Sequence, residues 1–270
     1  MNNILLRTLT GSVFISLIIG ALWWSIIATL IVMSLFLILG LNEFHNLFED
    51  NETIQISSGI SITGSLLVFG ILMSIFLGPL SGLKAFSLVF PILFLLFISE
   101  LWRKKEFPII NIGVMSFCIF YLVIPFSLMI SLSSISTHQN PLAIGMFLLI
   151  WTNDTFAYLS GRFFGKTKLF ERISPKKTWE GTIGGTLFTV AVAYFIGLWS
   201  DDYPSFFWII AALIIAPCSI FGDLLESLFK RSLNIKDSGN ILPGHGGILD
   251  RFDAALFTVP FFYCWVVFYS

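Results

Sequence analysis

The sequence predicts an all-α, polytopic integral membrane protein with about nine transmembrane helices. Three observations carry that prediction. Of the 270 residues, 56% are hydrophobic and only 11% are charged, whereas a soluble globular domain carries about 25% charged residues. Mean hydropathy is +0.90. Apolar runs recur along the chain at close to the roughly 20 residues a helix needs to cross the hydrocarbon core.

In order, the runs are 5–21, 23–41, 55–77, 84–101, 109–132, 142–161, 182–199, 205–221 and 252–269. The first two abut, with only Gly20 and the Trp23–Trp24 pair to divide them. No cleavable signal peptide is evident, because the first run is too long and lacks a small-residue cleavage site. Gly59, Gly64, Gly70 and Gly78 suit close packing between the early helices. Residues 1–140 carry no recognisable chemistry. Cys118, Cys218 and Cys264 lie in separate apolar runs without motif spacing and read as small core hydrophobes.

Charge distribution orients the spans. Nine spans put the N-terminus and the segments after spans 2, 4, 6 and 8 on one side. Those segments hold 14 of the 15 Lys and Arg residues, all but Lys84. The positive-inside rule places them in the cytoplasm and the C-terminus outside. The segment from Glu43 to Glu52 reads as an acidic cytoplasmic loop, and His45 and His138 as interfacial. The net charge of −1 is uninformative, and no nucleic-acid partner is expected.

Three polar clusters lie in the second half. Asp154, Tyr158 and Arg162 are spaced i, i+4, i+8 and so line one helix face. Asp154 lies deep in an apolar run, where an ionisable group is costly. It reads either as a structural partner of an arginine or as part of a polar site. Lys176 and Lys177 follow a Ser-Pro turn and read as headgroup anchors or phosphate contacts; Gly184 and Gly185 after them suit helix packing. Asp223, Glu226, Ser227 and Lys230 fall on one helix face, at the end of span 8.

The stretch from Ser227 to Asp253 packs Lys230, Arg231, Lys236, Asp237, His245, Asp250, Arg251 and Asp253 around Pro243, Gly244, Gly246 and Gly247. Asp250 and Asp253 read either as caps of the last helix or as ligands. Carboxylates beside a Gly-rich turn present oxygens to Mg²⁺, which is typically held by one or two carboxylates plus substrate phosphates and water. Cations in the same stretch neutralise phosphate oxygens. His245, set between glycines, reads as a turn residue or phosphate contact before a metal ligand.

The pattern Ser227-x-Phe229-Lys230-Arg231, Lys236-Asp237-x-Gly239, Leu242-Pro243-x-His245-Gly246-Gly247-x-x-Asp250-Arg251-x-Asp253 resembles the signature of the phosphatidate cytidylyltransferases. Asn153–Lys166, Ser174–Gly181 and Gly222–Ser227 resemble the family in order and spacing. The resemblance covers 150–253 strongly and the first half only in hydropathy. It implies an enzyme converting CTP and phosphatidic acid to CDP-diacylglycerol and pyrophosphate in phospholipid biosynthesis. It also implies Mg²⁺ with room for a second cation, a homodimer, and a site facing the cytoplasm of the inner membrane.

By that resemblance Asp223 and Asp250 are the first metal ligands, with Glu226, Asp253 and Asp154 in support. Lys236, Asp237 and Arg251 join Asp223 and Asp250 as catalytic candidates. Lys176, Lys177, Ser227, Lys230, Arg231, His245, Gly246 and Gly247 are the substrate-binding candidates. Residues 1–140 would then serve packing, dimerisation and lipid access, and 141–270 catalysis. A transporter is the main rival, because Asp154 and Pro217 suit a broken-helix pathway. Membrane transferases of phospholipid alcohols or prenyl groups are the second rival, but Asn153-Asp154 lacks the second Asp of their motifs.

Overall fold

The computed structural model describes residues 3–49, 51–78, 82–135, 141–239, 241, 244 and 246–269, with side chains from residue 8. The chain forms two compact units. The first comprises Met1–Thr137 with Ser238–Leu249, the second His138–Asp237 with Asp250–Ser270.

The first unit contains α1 (Asn3–Trp24), α2 (Ile26–Asn46), α3 (Ser58–Phe76), the short α4 (Gly82–Phe86), α5 (Val89–Arg103), α6 (Pro108–Cys118), a π turn (Ile119–Val123) and α7 (Ile124–Ile135). The break between the first two helices falls at Ser25, just after the Trp23–Trp24 pair. Ser25 is extended, and its side chain caps α2 by accepting from Ala28 N. The π turn has a local cause. Pro125 lacks an N–H and its ring crowds the carbonyl four residues back; a wider turn just before it relieves that clash, with Ile124 N reaching Ile119 O. Among the four glycines expected to serve packing, only Gly64 meets a neighbouring helix, where a Cβ would strike Leu96 of α5. Gly59 and Gly70 face open space.

The second unit contains α8 (Pro141–Phe164), β1 (Lys168–Phe170), β2 (Ser174–Thr178), α9 (Trp179–Trp199), α10 (Ser205–Ser232) and α11, which runs Leu249–Tyr269. β1 and β2 pair antiparallel, Lys168 opposite Thr178. They are the only strands among the described residues of an otherwise helical chain. Gly184 and Gly185 do pack closely, against Ser160 and against Ala157 and Asn153 of α8. Asn153 is fully buried and donates to Ser219 Oγ of α10 at 2.7 Å. An amide–hydroxyl pair of this kind locks helix register where neither group has water to fall back on.

Among the described residues, eight helical segments are long and apolar enough to cross a membrane. The apolar part of α1 with described side chains, Thr8–Trp24, is shorter. Span boundaries differ from expectation most at α10. Its apolar run was expected to end at 221, but the helix continues through Pro217 without a break to Ser232. The residues from Asp223 to Arg231 therefore sit on one continuous helix, which bears out the shared helix face expected for Asp223, Glu226, Ser227 and Lys230.

Candidate active site

α10 positions the first carboxylates. The helical period puts Asp223, Glu226, Ser227 and Lys230 on one face, and Ser227 Oγ donates to Asp223 Oδ1 at 3.3 Å. Lys230 Nζ lies 2.6 Å from Asp250 Oδ1 and also ion-pairs with Glu226 one turn back. One ammonium thus links α10 to the first turn of α11. Gly222 allows the two helices to come this close, since a Cβ there would meet the Asp253 carbonyl.

The hairpin supplies a second lysine. Glu180, in the first turn of α9, accepts from Lys166 N at 3.0 Å and Thr167 N at 3.1 Å. Thr178 caps the same helix by accepting from Gly181 N. Lys177, next to the buried Thr178 at the end of β2, reaches inward, its Nζ 2.7 Å from Asp223 Oδ2 and donating to Ile220 O at 3.2 Å. Lys176 is exposed.

Two further carboxylates join this group. Asp154 of α8 interacts electrostatically with Asp223 and Lys177. Asp253 interacts with Asp223, Asp154 and Lys230, and the buried Glu226 with Asp253 and Asp250. Five carboxylates from three helices thus share a small region with two ammonium groups. Like charges at such separations repel unless a cation stands between them. The donors are all hard oxygens, the type that suits Mg²⁺ over softer metals. No three His, Cys, Asp or Glu side chains among the described residues form a ready-made cage. Mg²⁺ uses a sparser donor set, one or two carboxylates completed by phosphate and water.

The remaining predicted residues divide. Arg231, Lys236, Asp237 and Arg251 are exposed, and Arg231 donates to Ile235 O at 3.3 Å. Gly246 and Gly247 belong to the first unit. Gly246 has φ 82°, a left-handed conformation that L side chains rarely adopt. His245 and His138 lie outside the described residues.

Sequence reasoning missed Glu43. It was placed in a loop, but α2 extends to Asn46 and Glu43 is only 3% exposed. It accepts from Ser238 Oγ, from Ile248 N at 2.7 Å and from Leu249 N at 3.1 Å. Gly239 and Gly247 lie against its carboxylate with no room for a Cβ. Within the first unit, the amides of Ile248 and Leu249 therefore find their acceptor on α2. A signal was available: Phe36, Gly40 and Glu43 are spaced i, i+4, i+7, continuing the buried stripe of α2. His45, expected at the interface, is likewise buried.

A sequence model described as the Cytidylyltransferase family matches residues 5–269. The chain belongs to that family. It is therefore a nucleotidyl-transferring enzyme. It is 37% identical over 232 residues to the phosphatidate cytidylyltransferase of Rickettsia prowazekii (strain Madrid E), covering 82% of this chain and 96% of that one. It is 36% identical over 168 residues to the phosphatidate cytidylyltransferase of Bacillus subtilis (strain 168), covering 62% of each. Over 116 residues it is 50% identical to that of Staphylococcus aureus (strain COL), covering 42% of this chain and 44% of the relative.

Proposed function

We propose that the chain transfers the cytidylyl group of CTP to phosphatidic acid, releasing pyrophosphate. The observation that carries this reading is the assembly of Asp223, Asp250, Lys177 and Lys230 on α10, α11 and the hairpin of a chain that matches the cytidylyltransferases along nearly its whole length. A phosphate oxygen of the lipid forms a bond to the α-phosphorus of CTP, and the bond from that phosphorus to the bridging oxygen breaks. The nucleophile is already an anion, so no strong base is needed. The barrier is the approach of one anion to another, and fixed positive charge lowers it.

The residues divide that work. Lys177 and Lys230 hold Asp223, Glu226 and Asp250 in place. Asp223 and Asp250 are the proposed Mg²⁺ ligands, supported by Asp154, Glu226 and Asp253. Bound there, the ion would screen the phosphates and polarise the reacting group. Arg231, Lys236, Arg251 and Lys176 are exposed, and we assign them to the phosphate oxygens of CTP and lipid. The unbroken α10 favours an enzyme over a broken-helix transporter.

We place the site at the cytoplasmic face of the cell membrane, in a homodimer as the family resemblance implies. Glu43 supports one element of that topology. It ties Ser238–Leu249 to the C-terminal end of α2, as expected if the segments after spans 2 and 8 share a side. The function is tested by incorporation of radiolabelled CTP into lipid by purified protein. Turnover should require phosphatidic acid and stop on chelation; full turnover in excess chelator, or equal turnover with ATP, would reject the reading. For orientation, the exposed Cys264 is replaced first. Single cysteines near Lys168 and Ser238 should then label only from the cytoplasm, and one near Asp201 only from outside.

A further inference from the structure

Glu43 stands in the last turn of α2 and is buried. Neither circumstance favours the helix itself. A carboxylate there faces the negative end of the dipole, and an ionised group taken out of water is costly unless hydrogen bonds replace the water. Its partners account for the placement. Ser238 Oγ, Ile248 N and Leu249 N donate to it, and all belong to one segment of the first unit, Ser238–Leu249.

Ser238 opens that segment and Ile248 and Leu249 close it. One carboxylate therefore draws both ends together, as in a compact Ω-type loop. Among the described residues between Ser232 and Leu249 there is no helix or strand, so the segment has no ladder of its own to keep its shape. The fit against α2 is close. Gly239 and Gly247 leave no room for a Cβ beside the Glu43 side chain, and a Cβ at Gly40, one turn earlier, would touch Leu249 at 3.7 Å. Inside the clasp, Gly244 and Gly246 have φ 79° and 82°. Left-handed glycines let a loop turn its amides toward a shared anion. The residue after Leu249 is Asp250, so the held segment leads directly in sequence to a proposed metal ligand.

We infer that Glu43 is a positioning residue for CTP: it holds the Ser238–Leu249 loop closed, in the form whose backbone receives the nucleotide's phosphates. The inference rests on the cytidylyl-transfer reading above. Glu43 touches no substrate itself and acts through the loop. CTP is the substrate concerned, because its run of phosphates can engage several amides of one loop, whereas the lipid brings a single phosphate. Without the clasp the loop is closed only part of the time, and apparent affinity falls in proportion to the closed fraction.

The test is a split between KM and kcat in the purified full-length protein. Glu43→Gln should raise the KM for CTP by roughly tenfold and leave kcat within about twofold, with the KM for phosphatidic acid unchanged. Ser238→Ala removes one of the three donors and should raise the KM for CTP by roughly threefold; it decides the matter if Glu43→Gln does not fold. Asn111→Ala is the control, since it loosens the frame of another buried carboxylate, Glu100, in the same unit. It should lower the melting temperature and leave both KM values alone. Hydrogen exchange supplies a second readout: adding CTP to the wild type should slow the amides of residues 246–249, and Glu43→Gln should quicken them without nucleotide. A fall in melting temperature with an unchanged KM for CTP would overturn the positioning role. So would an equal rise in Asn111→Ala, a rise confined to phosphatidic acid, or amides that ignore CTP. Those results leave wild-type turnover intact, whereas a wild type that does not turn over CTP rejects the underlying reading and this inference with it.

Discussion

Two regions of this molecule gather carboxylates in an otherwise apolar chain, and they treat them in opposite ways. In the first unit, Glu43 accepts from a hydroxyl and two backbone amides, and Glu100 from Arg103 and Asn111. Each is surrounded by donors and each ties distant segments together. In the second unit, Asp154, Asp223, Glu226, Asp250 and Asp253 are gathered near one another, with Lys177 and Lys230 among them. A carboxylate ringed by donors is a structural fastener. Carboxylates set against carboxylates are costly to fold and suit a site that recruits a cation. The comparison teaches that burial alone does not mark function; the sign of the neighbours does.

The sharpest way to break this contrast is to remove charge from the second region. Asp223→Asn and Asp250→Asn should each cut turnover by about a hundredfold to a thousandfold, the usual cost of one preorganised electrostatic contact. Both proteins should insert and melt nearly as the wild type does. A large fall in melting temperature without loss of specific activity would move these residues into the fastener class.

The hairpin offers a finer cut. Lys177→Gln should cost about a hundredfold in turnover, because it removes the cation on Asp223. Lys176→Gln should cost far less, since Lys176 is exposed while Lys177 makes the ion pair with Asp223. Equal losses would show that this ion pair does not sort the two lysines.

The first region should answer in stability. Glu43→Gln keeps the shape but weakens the acceptor for three donors, and should destabilise the protein by about 1–3 kcal/mol, read as a lower melting temperature. Asn111→Ala should act similarly and more weakly, leaving the KM for CTP unchanged. The smallest effect is expected from Lys104→Gln, at the exposed left-handed end of α5 (φ 49°), where turnover and melting should match the wild type.

Much of this molecule was legible in its sequence. Apolar run length fixes a membrane-spanning helix almost without context, because backbone hydrogen bonds inside a bilayer must be satisfied within the segment. The helical period alone put Asp223, Glu226, Ser227 and Lys230 on one face, and the order of motifs pointed to the family. What the sequence could not supply was pairing across long separations. Adjacent lysines read alike in a string, yet the fold brings Lys177 to Asp223 and leaves Lys176 in solvent. Glu43 lies 195 residues from Ser238, and nothing local to α2 announces that partner. Those choices were made by tertiary structure, because a buried charge selects whichever donors the packed helices bring within hydrogen-bond reach.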